Sequence, residues 1–120
     1  MGMKKLLIYA THGTYGRDDD AYGAMLAANA ALAKGLDVIL VLVEDGVAMA
    51  KAGQDTAGLG LPNNLDDLGD FAELGGRLVI VEEHLEERGI GKGELIEGCE
   101  FTPLAGVAGL VAETDVTLTF

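Results

Sequence analysis

A chain of 120 residues is long enough for one domain with a sizeable core, and needs neither a metal nor a disulfide to hold it. Twenty acidic residues against eight basic ones give a net charge of −12, which repels phosphate backbones and anionic bilayers and so excludes nucleic acid and membrane as expected partners. The longest unbroken apolar run, Val38 to Val43, is far too short to cross a bilayer, and the chain reads as cytoplasmic.

Lys5 to Ala10 is predicted as the first strand, and its apolar part is too short for a secretory signal. Thr11-His12-Gly13-Thr14-Tyr15-Gly16 follows as a loop. Ala21 to Lys34 is dominated by Ala and Leu and reads as a helix, with Asp18 to Asp20 suited to its cap and first turn and Gly35 to its end. Small or apolar side chains lie nearly all round it, so it should pack on a sheet or on a neighbouring subunit, and a homo-oligomer is expected. Val38 to Val43 is the most strand-like run and points to a central parallel strand. Glu44-Asp45-Gly46 ends it, Val47 to Lys51 reads as a short helix, and Gln54 to Asn64 is a loop. Asp66 to Leu74 is helical by pattern and stops at Gly75-Gly76.

Leu78 to Val81 is a short β-branched run that turns directly into a charged helix. Glutamates crowd the start of that helix, Arg88 closes it, and Gly89 stands where a left-handed cap would fall. Gly91-Lys92-Gly93 is a turn, Glu94 to Glu97 at most one helical turn, and Cys99 to Thr102 a short strand. Pro103 opens a helix that runs from Leu104 to Glu113. Val116 to Phe120 alternates apolar residues with Thr as the last strand. Strands and helices alternate five times, which implies one α/β domain over residues 1–120, a parallel sheet with helices on both faces.

A parallel sheet presents all its carboxyl ends at one edge, where ligands bind in open α/β folds. His12, Gly13, Thr14 and Tyr15 in the first loop, Asp45 and Gly46 in the second, and Glu82, Glu83 and His84 in the third should gather there as a candidate ligand cleft. The first loop could cradle a phosphate on backbone N–H groups, or act as an ordinary strand-to-helix turn. No ligand spacing such as His-x-x-x-His supports a metal, and the glutamates can instead serve a helix N-terminus. Neither a metal nor a cofactor is expected. Cys99 is the single cysteine, so no intramolecular disulfide can form. It falls at the start of its strand, away from the histidines, with Glu97 and Glu100 close in sequence; a buried, protonated thiol is expected.

Asp45-Gly46-Val47, Arg88-Gly89-Ile90 and Ala112-Glu113-Thr114-Asp115 leading to Leu118-Thr119-Phe120 together resemble the DsrE/DsrF-like family, which includes YchN-like proteins and TusD-type sulfur-relay subunits. The resemblance implies a three-layer α/β/α fold with a five-stranded parallel sheet, and assembly into trimers or hexamers. It also implies a persulfide-carrying cysteine near the end of the third strand. Counted back from Arg88-Gly89, that position falls at about Val81. His84 lies where some members carry a second cysteine, and Cys99 matches no family site. The reading is therefore an oligomeric DsrE-like protein of sulfur metabolism, a binding or accessory subunit without persulfide chemistry, with a sulfur-relay protein as partner. Two others stand beside it: a sulfurtransferase-like carrier or enzyme using His12, His84 or a relocated Cys99, and a flavodoxin-like nucleotide binder.

Overall fold

Apolar runs rich in β-branched residues bury both faces by lying inside a sheet, and three runs, Lys5 to Ala10, Asp37 to Leu42 and Arg77 to Val81, do so here. A computed structural model describes residues 4–13, 20–54 and 64–120. The elements are β1 (Lys5–Ala10), α1 (Asp20–Ala33), β2 (Asp37–Leu42), α2 (Leu65–Glu73), β3 (Arg77–Val81), α3 (Glu82–Glu87), β4 (Cys99–Thr102), α4 (Val107–Glu113) and β5 (Val116–Thr119), with 3-10 turns at Glu44–Ala50, Lys92–Glu94 and Leu104–Gly106.

Every strand pair is parallel and the order is β4-β3-β2-β1-β5. The apolar run of β2 lies at the centre, as its unbroken burial requires. This is not the flavodoxin order, 2-1-3-4-5, so the flavodoxin reading does not hold for the topology. Three successive crossovers step from β1 to β4 in one direction, and the fourth returns past β3, β2 and β1 to β5. Right-handed crossovers therefore put α1, α2 and α3 on one face and α4 on the other.

The two cores follow that division. Leu6, Ile8, Leu40, Leu78 and Ile80 pack with Met25 and Ala28 of α1, Leu68 and Phe71 of α2, and Leu85 of α3. Leu7, Ile39, Val41, Val79 and Val81 pack with Val107 and Leu110 of α4. The faces are covered unequally, since α4 has only seven residues. All four residues of β5 are exposed.

Three helices end alike. After α1, α2 and α3 a glycine with positive φ (Gly35, Gly75, Gly89) lets the next amide reach back to the last turn, as in Leu36 N–H to Ala31 O at 3.1 Å and Ile90 N–H to Leu85 O at 3.0 Å. The helical turn expected at Glu94 to Glu97 is absent. Instead Leu95 bridges Lys51 in antiparallel fashion, and the Ile96 amide donates to Ala50 O at 2.8 Å; this cross-loop pairing outweighs a weak local propensity. The segment expected to form a helix at Val47 to Lys51 is the 3-10 turn, which begins earlier, at Glu44. Most of the Gln54 to Asn64 loop lies outside the described residues. No helix among the described residues is long and apolar enough to cross a membrane.

Candidate functional site

The loops after β1, β2, β3 and β4 meet at the carboxyl edge because all the strands run the same way. His12, Gly13, Asp45, Gly46, Glu82, Glu83 and His84 all follow strand ends there. Thr14 and Tyr15 lie outside the described residues.

The first two loops interlock. The Val43 amide donates to Ala10 O at 3.0 Å. Gly46 then passes so close to that carbonyl that an added Cβ would overlap its oxygen. Gly13 leans on the same turn, where a Cβ would stand 3.0 Å from Asp45 O. Glu44, in this turn, has φ +50 and is the one non-glycine with positive φ among the described residues, a conformation that costs on the order of 1 kcal/mol. Its amide donates to His84 Nδ1 at 2.7 Å. His84 is 9% exposed. A nitrogen that accepts carries no proton, so the neutral ring is protonated at Nε2. The buried imidazole thus holds the strained turn in place.

His12 has the opposite tautomer. Its Nδ1 lies 3.1 Å from Thr11 Oγ1, whose single hydrogen goes to Phe120 O at 2.9 Å. The hydroxyl can then only accept, so His12 Nδ1 carries the proton and the Nε2 lone pair is the basic one. Histidines of opposite tautomer therefore stand at one edge.

The glutamates serve other ends. Glu83 accepts the Leu104 amide at 2.8 and 3.0 Å with its two oxygens, capping the turn that leads into α4 rather than its own helix. Glu82 meets Lys92 Nζ at 3.2 Å. Among the described residues no group of three or more His, Cys, Asp and Glu side chains is gathered for a metal ion.

The motifs that carry the family resemblance are joints of the fold. Arg88 Nε donates to Asp45 Oδ1 at 3.0 Å, and Arg88 Nη1 to His84 O at 3.2 Å, so the Arg-Gly-Ile and Asp-Gly-Val segments clasp each other. The closing segment clasps β1 at both ends: Lys5 N–H reaches Asp115 Oδ2 at 2.8 Å, and Thr11 N–H reaches Phe120 O at 2.9 Å. Sequence reasoning placed the loops that start at Thr11 and Glu44 at this edge without the roles of those two residues, and it missed the Asp45–Arg88 pair. The one signal for that pair was an aspartate and an arginine, each followed by glycine, after neighbouring strands.

Val81, at the place where the resemblance puts a persulfide cysteine, is fully buried. Cys99 is half-buried at the amino end of β4, and its thiol donates to Ile96 O at 3.3 Å. Burial pushes the thiol from 9.0 up to about 11. The neighbouring glutamates are not the cause: Glu100 points to the other sheet face, paired with Arg77 at 3.0 Å. Alkylation of Cys99 by iodoacetamide should rise about tenfold per pH unit from pH 8 to 10, where an ordinary thiol levels off near pH 9. The folded state holds this proton more tightly than the unfolded one. Stability is therefore unaffected by Cys99 below pH 9.0 and falls as pH rises from there to about 11. Mass spectrometry of the alkylated chain and a pH series of melting curves check the two statements.

A parallel sheet in three layers, with these joints, defines a class of α/β proteins. The chain belongs to the DsrE/DsrF-like family, whose model matches residues 4–120; that family is related to proteins of sulfur relay. It is 32% identical over 116 residues to an uncharacterized protein of Methanocaldococcus jannaschii, covering 97% of this chain and 99% of that one. A second uncharacterized protein, from Methanopyrus kandleri, is 29% identical over 119 residues, covering 99% and 96%. Among solved structures it is similar to the YchN protein of E. coli, with a TM-score of 0.82, 26% identity and coverage of 98% and 100%. A protein of unknown function from Methanobacterium thermoautotrophicum shares the fold, with a TM-score of 0.73 at 12% identity and coverage of 98% and 99%.

Proposed function

We propose that this chain is an oligomeric binding or accessory subunit of sulfur metabolism that does not itself carry a persulfide, working beside a sulfur-relay protein in the cytoplasm. The observation that carries this reading is Val81: an apolar, fully buried residue with no nucleophilic atom where the resemblance calls for cysteine. A relay thiol must be a thiolate and be reachable. Cys99 is protonated at working pH, being pushed up to about 11, and it stands half-buried at the opposite edge of the sheet. The ligand would lie at the carboxyl edge, between His12 on the first loop and the turn held by His84.

The expected result is that incubation with a persulfide donor at pH 8 adds no sulfur to the intact mass. A stoichiometric adduct that disappears in Cys99→Ala would replace this reading with that of a carrier whose cysteine has moved. One observation favours an enzyme as the second reading: His12 is oriented by Thr11 with Nε2 as its basic nitrogen, beside a strained backbone turn.

Assembly is supported by apolar surface that this small domain leaves uncovered. Tyr22, Leu26, Ala30 and Ala33 form an exposed stripe on α1, and Leu26 is 52% exposed. Leu104 and Val111 lie exposed along the α4 segment. Like-charged copies meet most easily where charge is absent, so light scattering at micromolar concentration and moderate salt should give a multiple of 12.4 kDa. A monomer mass would remove the oligomer from the reading.

A further inference from the structure

Register places an unusual set of charges at the amino edge, on the face that α4 leaves partly uncovered. Lys5 stands level with Asp37 on the neighbouring strand, about 4.8 Å away, and Arg77 stands level with Ile39. These residues alternate with the α1-side core positions, so all four side chains project to the α4 face. Glu113 closes the group from the last turn of α4. Together they surround a cleft of about 170 Å³ against Ile39, which is 5% exposed.

The charges around the cleft balance, two positive and two negative, and the two cations have donors to spare. Arg77 gives Nε and Nη2 to Glu100 at 3.1 and 3.0 Å, which leaves Nη1. Among the described residues no carboxylate lies within ion-pair distance of Lys5 Nζ. Glu113 acts on Arg77 from across the cleft and strengthens its hold on the proton, after Glu100. A lone anion would face Asp37, Glu113 and, beyond Arg77, Glu100, and a lone cation would face Lys5 and Arg77. A molecule bearing both signs close together meets a partner for each. The cleft has room for several non-hydrogen atoms, enough for a molecule the size of alanine.

We propose that this cleft binds a small zwitterion, a free α-amino acid with a short side chain, its carboxylate on Lys5 Nζ and Arg77 Nη1 and its ammonium on Asp37 and Glu113. The site is independent of the carboxyl edge and of sulfur chemistry. So few atoms between half-exposed charges bind weakly, with a dissociation constant on the order of millimolar.

Saturation-transfer NMR suits the test, because it works on the full chain whatever its assembly. Titrated L-alanine should give a saturable signal. Propionate and ethylamine, each carrying one charge, should bind about tenfold more weakly, and so should L-alanine at high salt. Lys5→Met and Glu113→Gln should each weaken L-alanine about tenfold with unchanged circular dichroism. Both side chains are exposed, and the backbone ties of Lys5 to Asp115 survive the change. Asp37→Asn takes the place of either variant that fails to fold. Absence of saturation, equal binding of propionate, or indifference to the variants would each overturn the proposal.

Discussion

Gly46→Ala is expected to destabilise the protein by about 3 kcal/mol or more, or to prevent folding. The new methyl group would overlap the carbonyl oxygen of Ala10. Side chains can swing away from such a contact, but backbone in a sheet cannot. Ala10 pairs with Leu42 in the ladder and its carbonyl accepts the Val43 amide at 3.0 Å, while Thr11 just beyond is tied to Phe120. The turn bearing Gly46 is pinned from its other side by His84. Gly69→Ala is the matched control. That glycine sits inside α2 with open space around it, so alanine should gain about 0.5–1 kcal/mol from helix propensity and a less flexible unfolded chain. Urea denaturation at fixed protein concentration measures both. A Gly46→Ala protein within 1 kcal/mol of the parent would show that the two loops are not locked as described.

Phe71→Ala is expected to cost about 3–5 kcal/mol. Phe71 is fully buried between α2 and the sheet, and Gly76 lies against its ring so closely that a Cβ there would overlap it. This contact makes a sharper test. Gly76→Ala alone should be severely destabilising, but in the Phe71→Ala background the methyl group enters the vacated space and its cost should fall by about 1–3 kcal/mol. Simple additivity in that double-mutant cycle would mean that ring and glycine are not in contact.

Much of the fold is legible in the residues because burial on both faces leaves a local mark. The run Val38 to Val43 could hardly be anything but a central strand, and Lys34-Gly35 and Arg88-Gly89 announce helix ends through charge and left-handed glycine. Parallel strands also bring His12, Asp45 and His84 to one edge by topology alone. Strand order was not legible, because no periodicity says which strands are neighbours. The Asp45–Arg88 pair spans 43 positions and Glu83 reaches Leu104 across 21; both depend on that order. So does the unequal covering of the two faces, from which the cleft at the amino edge arises. The strain at Glu44 was invisible for another reason. Glutamate has no preference for positive φ, and the conformation is imposed by His84 and Gly46 from outside the turn.

The pairing of β1 with β5 has a consequence in time. Lys5 and Asp115 are 110 positions apart and Thr11 and Phe120 are 109 apart. A ribosome therefore delivers β2, β3 and β4 long before the partner for the other side of β1. Through that interval Leu6, Leu7 and Ile8 border an open, apolar edge, able to pair with any strand that approaches, including β1 of another nascent copy. The long loop to β5 also closes against the greatest entropy in the sheet. Slowing synthesis over the codons for Val116 to Phe120 should therefore increase aggregation, and supplying a Val116–Phe120 peptide in trans should reduce it.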